Sequence, residues 1–183
     1  MSINKNYLFQ SKRLGFRNWI EGDILQMAEI NADAKVMAYF PSTKTTDETR
    51  EFILRMQKQF LEKGFCYFAV DKLENGEFIG FIGLSEQTYE SDFTPCVDIG
   101  WRLKFSEWNT DFATEGAQRC LEFAFSTLNL DRIVAVAPVA NLRSEKVMIN
   151  IGMKKVKEFK HPLLKDITHL EKCVLFERLA HDA

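Results

Sequence analysis

The chain of 183 residues is 46% hydrophobic and 13% aromatic, with 16 Phe, which suits one α/β domain over residues 1–183 with a full core and no second domain. A formal net charge of -2 and a pI of about 6.0 give no broad cationic surface, so neither nucleic acid nor anionic lipid is expected as a partner. Met1 to Asn6 carries no apolar leader and no window approaches the roughly 18 uninterrupted apolar residues of a membrane span, so a cytoplasmic location is expected.

In chain order, Arg13 to Trp19 alternates apolar and polar residues and predicts the first strand. Ile24, Leu25, Met27, Ala28 and Ile30 suit a short helix within Glu21 to Ile30, and Val36 to Pro41 leads to a break. Thr45-Thr46-Asp47-Glu48 has capping-box spacing, and Phe52, Ile53, Met56, Phe60 and Leu61 continue a second helix to about Gly64. Cys66 to Val70 and Phe78 to Leu84 read as strands joined by a hairpin at Asn75-Gly76. A polar loop from Ser85 to Pro95 precedes Val97 to Leu103, where alternation puts Asp98, Gly100 and Arg102 on one face.

Ala113, Ala117, Cys120, Leu121, Ala124, Phe125 and Leu128 form the best apolar stripe in the chain, with small residues that suggest close packing. The apolar run Ile133 to Ala137 fits a strand covered on both faces, so the strand, helix, strand order implies a right-handed parallel crossover. Asn141 to Asn150 is a short helix stopped by Gly152, and Met153 to Phe159 and Lys172 to Leu179 are the final strands, joined through residues 160–168. Cys66, Cys96, Cys120 and Cys173 lack the paired spacings of zinc or redox motifs, so buried thiols and no metal site are expected.

The stretch Trp108 to Gly116 feeds a loop into the start of the long helix. A helix N-terminus leaves four amides without intrahelical partners, at the positive end of the macrodipole, and so makes a natural cradle for a diphosphate. With this junction, Lys12-Arg13-Leu14 to Trp19, Val97-Asp98-Ile99-Gly100-Trp101, Phe112-Ala113-Thr114-Glu115-Gly116 and Asn141-Leu142-Arg143-Ser144 to Ile151-Gly152-Met153 occur in fixed order. In that order the chain resembles the GNAT superfamily of acetyl-CoA-dependent N-acetyltransferases, in the Rim-type branch named for ribosomal-protein acetylation.

The resemblance implies a strongly bent, mixed but mostly antiparallel sheet of six or seven strands with about four helices. Its fourth and fifth strands splay apart to admit the pantetheine arm of acetyl-CoA. Carried over, the backbone of Leu103 and Lys104 pairs with pantetheine amides, and the amides of Trp108, Asn109, Thr110, Asp111, Phe112, Ala113 and Thr114 face the pyrophosphate. Asn141 and Ser144 stand on the far wall, with Lys104 and Arg143 as the nearest cations. The loop departs from the family's Gln/Arg-x-x-Gly-x-Gly/Ala pattern, since Asn109 and Asp111 replace glycines and only Ala113 keeps the small residue. Asn and Asp tolerate positive φ better than most residues, so the loop shape is expected to survive. An ionised Asp111 is also expected to cap the helix itself and to repel a diphosphate.

Attack on a thioester needs a neutral amine, a proton acceptor and donors for the developing oxyanion. Asp98 is the expected base, or else a group that only binds the cationic acceptor or a sheet neighbour. Ser144 is either the available proton donor or only a hydrogen-bond partner of the cofactor, because Met148 stands where many relatives carry a Tyr. Glu86, Glu90 and Asp92 form an acidic rim, with Glu86 and the Tyr39-Phe40 segment expected near the acceptor, while His161 and His169 read as structural. The expected function is acetyl transfer to a small-molecule amine or a peptide N-terminus, without a covalent enzyme intermediate, and association of two copies through sheet edges is compatible with it. The altered loop supports an alternative, a degenerate domain that acts as a non-catalytic binding module.

Overall fold

A computed structural model describes residues 6–182, and among them are eight strands and five α-helices. The strands are β1 (Phe9–Gln10), β2 (Leu14–Arg17), β3 (Tyr67–Lys72), β4 (Phe78–Gln87), β5 (Cys96–Leu103), β6 (Arg132–Pro138), β7 (Lys154–Lys160) and β8 (Lys172–Leu179). The helices are α1 (Asp23–Ala32), α2 (Thr46–Lys63), α3 (Phe112–Ser126), α4 (Leu142–Asn150) and α5 (Thr168–Glu171). One sheet runs in the order β1-β2-β3-β4-β5-β6-β8-β7, antiparallel throughout except where β5 meets β6. That parallel contact holds only at Asp98 and Val134, so the two strands part toward Leu103. These are the fourth and fifth strands of the expected fold, renumbered because β1 precedes them.

Local chemistry accounts for both ends of α2 and for the β3–β4 turn. Thr45 Oγ accepts from Glu48 N–H and Glu48 Oε2 from Thr45 N–H, a complete capping box, and Gly64 closes α2 at φ 78°. Gly76 turns the β3–β4 hairpin at φ 71°. The sheet exceeds the expected six or seven strands because β1 is too short to carry a period. It is held from outside itself: the Phe9 ring stacks on Phe16 at 4.6 Å and on Phe123 of α3 at 4.5 Å. The expected loop at Ser85 is also corrected, since β4 continues to Gln87 with Ser85 paired to Asp98, its buried hydroxyl donating to Gln59 Oε1 at 3.0 Å. The linking segment holds a 3-10 turn over Pro162–Leu164 and the short α5.

Two arrangements set the frame for the site. A Cβ on Gly116 would meet Ile82 Cδ1 at 2.3 Å, so α3 lies hard against the sheet with its first turn fixed beside the end of β5. Arg17 is buried between two buried carboxylates: Nε and Nη2 donate to Asp71 at 2.7 and 3.0 Å, and Nη1 and Nη2 to Asp23 at 2.7 and 2.8 Å. This pins β2 and β3 to the start of α1 by paired charge-assisted bonds.

Candidate active site

A cleft of about 580 Å³ opens beyond the point where β5 and β6 part. Its walls are the end of β5, the loop and first turn of α3, one side of α4, and Val36, Tyr39 and Phe40. Three consecutive residues, Trp101, Arg102 and Leu103, line it. Successive side chains of a strand point to opposite faces, so a cleft bounded by all three is open to both faces of the sheet.

Ladder register decides which backbone groups face this gap. Lys104 N–H donates to Ile79 O at 2.9 Å, and the alternation of an antiparallel pair turns the backbone groups of Arg102 and Lys104 to β4. Trp101 and Leu103 therefore turn theirs toward the gap. The Leu103 carbonyl also accepts from Trp108 Nε1–H at 3.1 Å, which ties the following loop to the strand.

The loop keeps the shape of a phosphate cradle. Asn109 and Asp111 adopt φ 60° and 64°, the left-handed region where a glycine would be expected, and Asp and Asn sustain it. The expected cap is absent: Asp111 makes no side-chain capping bond. Capping requires an extended residue whose oxygen reaches forward to the second or third amide, and a left-handed one does not present it. The first backbone bond of the helix runs from Glu115 N–H to Asp111 O, which leaves the earlier amides of α3 free for a ligand. Arg13, just before β2, braces this turn, donating Nε to Glu115 at 2.6 Å and Nη2 to Thr110 O at 3.0 Å, with its guanidinium over the Phe112 ring.

Asp98 lies at the foot of the splay and is partly buried. Its Oδ1 accepts from the Tyr67 hydroxyl at 2.6 Å, and Gln87 Nε2–H donates to that same hydroxyl oxygen at 3.3 Å. Desolvation raises the Asp98 carboxyl to about 6, against the opposing pull of bonds from Tyr67 and Gln87. Tyr67 crosses Gly100 to reach it, and a Cβ there would stand 3.0 to 3.2 Å from the phenol.

Of the residues expected at the site, Tyr39, Phe40, Leu103, Trp108, Asn109, Asp111, Phe112, Ala113, Thr114, Asn141, Arg143 and Ser144 all line the cleft. Asn141 caps α4 by accepting Ser144 N–H at 3.2 Å, and Arg143 donates to Asn109 Oδ1 at 2.6 Å while lying over the Trp108 ring. Four residues are not brought to the cleft. Lys104 pairs with Glu77 at 3.1 Å, Glu86 with Lys63 at 3.1 Å, Thr110 donates its hydroxyl to Glu107 O, and Asp98 sits below the cleft wall. Conversely, Trp101 and Arg102 stand in the wall without having been singled out. Arg102 had a legible signal, a charge on the same strand face as Asp98, whereas Trp101 depends on ladder register. Among the described residues no cluster of His, Cys, Asp and Glu could hold a metal ion, and no helix is long and apolar enough to cross a membrane.

Residues 13–154 match the family described as acetyltransferase (GNAT) domain. YnaD, an uncharacterised N-acetyltransferase of Bacillus subtilis, is 30% identical over 151 residues, covering 82% of this chain and 84% of its own. A ribosomal-protein-S5-alanine acetyltransferase from Vibrio fischeri shares the fold at a TM-score of 0.75 and 19% identity, over 95% of this chain and 97% of that one. A spermidine N-acetyltransferase from Vibrio cholerae, solved with CoA and spermine, gives a TM-score of 0.73 at 18% identity over 92% and 96% of the two chains.

Proposed function

We propose that this chain, which belongs to the GNAT acetyltransferase family, transfers acetyl from acetyl-CoA to a primary amine by direct attack within a ternary complex. The observation that carries the reading is the uncapped first turn of α3, facing a cleft open to both faces of the sheet. A module that had given up its coenzyme would have no need of two non-glycine residues in the left-handed region to keep that turn open. The Rim-type branch is favoured by the landmark order from Lys12-Arg13-Leu14 to Ile151-Gly152-Met153.

Acetyl-CoA supplies an activated acyl thioester. The amides of Phe112, Ala113 and Thr114 are assigned to the diphosphate, with the Arg143 guanidinium beside them as the cation. Lys104, committed to Glu77, leaves that role to Arg143. The outward backbone groups of Trp101 and Leu103 are assigned to the pantetheine amides, and Asn141 and Ser144 to the opposite wall.

The amine nitrogen bonds the acetyl carbon as the C–S bond breaks. Its surplus proton passes to Asp98, through water because the carboxylate does not line the cleft, and the Ser144 hydroxyl is assigned to protonate the departing thiolate, regaining its own proton from Asp98 through the same water. A carboxyl held near 6 is ionised, yet only just, at neutral pH, the condition for a proton acceptor that must also release.

Calorimetric titration with acetyl-CoA, followed by an acetylation assay over an amine panel, tests the reading. Saturable heat and release of free CoA in the presence of amine are expected. A folded sample that gives no heat at millimolar acetyl-CoA would sink it.

A further inference from the structure

Arg102 is a cation in the cleft wall whose chemistry the transfer reaction leaves unused. It shares the wall with Val36, Tyr39 and Phe40, and its side chain stands on the sheet face opposite to Leu103, away from the turn assigned to the coenzyme. No carboxylate pairs with it among the described residues. The two acids that also line the cleft lie elsewhere: Glu107 is paired to Lys72 at 3.3 Å, and Asp111 belongs to the α3 turn. Asp98, four residues earlier on the same face, is occupied by the Tyr67 hydroxyl.

The guanidinium is nevertheless held in place. Its carbon lies 4.1 Å from the Phe40 ring centroid and 5.4 Å from that of Phe81, and Nη1 donates to Asn31 Oδ1 at 2.7 Å. Asn31 is buried and in turn donates to Thr49 Oγ1, whose own hydroxyl bonds Thr45 O, so the capping box of α2 anchors the chain of bonds. Nε is buried and meets no acceptor. Burial pulls the group down to about 10, so it remains a cation at neutral pH.

A fixed, flanked guanidinium without an anion is a receptor for one, since its planar fork matches a carboxylate and its aromatic flanks exclude water. We propose that Arg102 receives a carboxylate of the acceptor, so that the preferred substrate is a primary amine bearing a carboxylate a few bonds from the nitrogen, an amino acid and not a polyamine. The inference rests on the acetyl-transfer reading above and adds the acceptor class to it. A polyamine would bring further positive charge to a wall that already holds an uncompensated cation. An amino acid neutralises that wall, and the same cation favours the neutral form of a neighbouring amine, which is the form that attacks.

The test is steady-state acetylation of matched sets: L-amino acids, their carboxamides, the corresponding decarboxylated amines, and spermidine, with succinyl-CoA run beside acetyl-CoA. For the best acceptor, kcat/KM for the free acid is expected to exceed that of its carboxamide by roughly ten- to a hundredfold, the scale of a charge-assisted bidentate contact. In Arg102→Gln that ratio collapses toward one, and Arg102→Lys recovers part of it, with thermal melts confirming that both variants fold. The wild-type ratio needs no variant, so a misfolded substitution leaves the test intact. Carboxamides or spermidine used as well as amino acids would overturn the inference while leaving the transferase reading in place. A preference for succinyl-CoA would overturn it by giving Arg102 to the acyl group. Absence of both acetyl-CoA binding and acetylation would overturn the two together.

Discussion

Replacing Asp98 by Asn is expected to stabilise the fold at neutral pH while lowering turnover. The structure raises this carboxyl from the usual value near 3.9 to about 6, because burial under Tyr67 removes water from the charged form. A raised acid binds more protons folded than unfolded between those two values. Its penalty is therefore absent below about pH 4, grows across the interval, and is complete above about pH 6. Two units correspond to at most about 3 kcal/mol, and partial exposure of the side chain reduces this to about 1–2 kcal/mol. The substituted amide would keep an oxygen for the Tyr67 hydroxyl, so the hydrogen bond survives the change. Urea unfolding at about pH 7.5 should show the variant more stable by that amount, with the gain lost near pH 4. In parallel, the rising limb of the wild-type pH–rate profile should centre near pH 6 and vanish in the variant, with acetyl-CoA affinity unchanged. A variant no more stable at pH 7.5 would refute the desolvation argument, and undiminished turnover across the pH range would remove Asp98 as the proton acceptor.

Asp111→Gly should tighten acetyl-CoA binding by roughly three- to tenfold, since the exposed carboxylate lines the cleft and makes no cap, while glycine holds its φ of 64° freely. Asp111→Asn isolates the charge, and the gain should shrink at high salt in calorimetric titration; unchanged affinity would mean that the carboxylate points away from the ligand. Arg17→Met removes the cation shared by two buried carboxylates and should cost about 3–5 kcal/mol in urea unfolding, lowering the melting temperature by roughly 6–20 °C. A loss under about 1 kcal/mol would show the network to be of little consequence for stability.

Where an element was governed by neighbours in sequence, it could be read without the structure. The Thr45–Glu48 capping box, the Asn75-Gly76 hairpin, the stripe of small residues on α3 and the Gly64 stop each depend on contacts within a few residues. The loop from Trp108 to Thr114 was legible for the same reason, as was the tolerance of Asn109 and Asp111 for positive φ. The capping role given to Asp111 failed because the two properties exclude each other, a left-handed residue being unable to cap forward. β1 escaped notice because rings of Phe16 and Phe123, distant in sequence, hold its two residues.

The sequence by itself determined the fold class, the family resemblance and most of the cleft-lining residues, because periodicity, turn chemistry and ordered short motifs are local properties. Tertiary structure alone decided the electrostatic roles. Lys104 and Glu86 were withdrawn by ion pairs with Glu77 and Lys63, and Asp98 was placed under Tyr67, below the cleft wall. Arg102 was left in the cleft wall with no carboxylate paired to it among the described residues. A charge takes its role from whatever faces it across the fold, and those partners come from strands and helices that the linear chain keeps far apart.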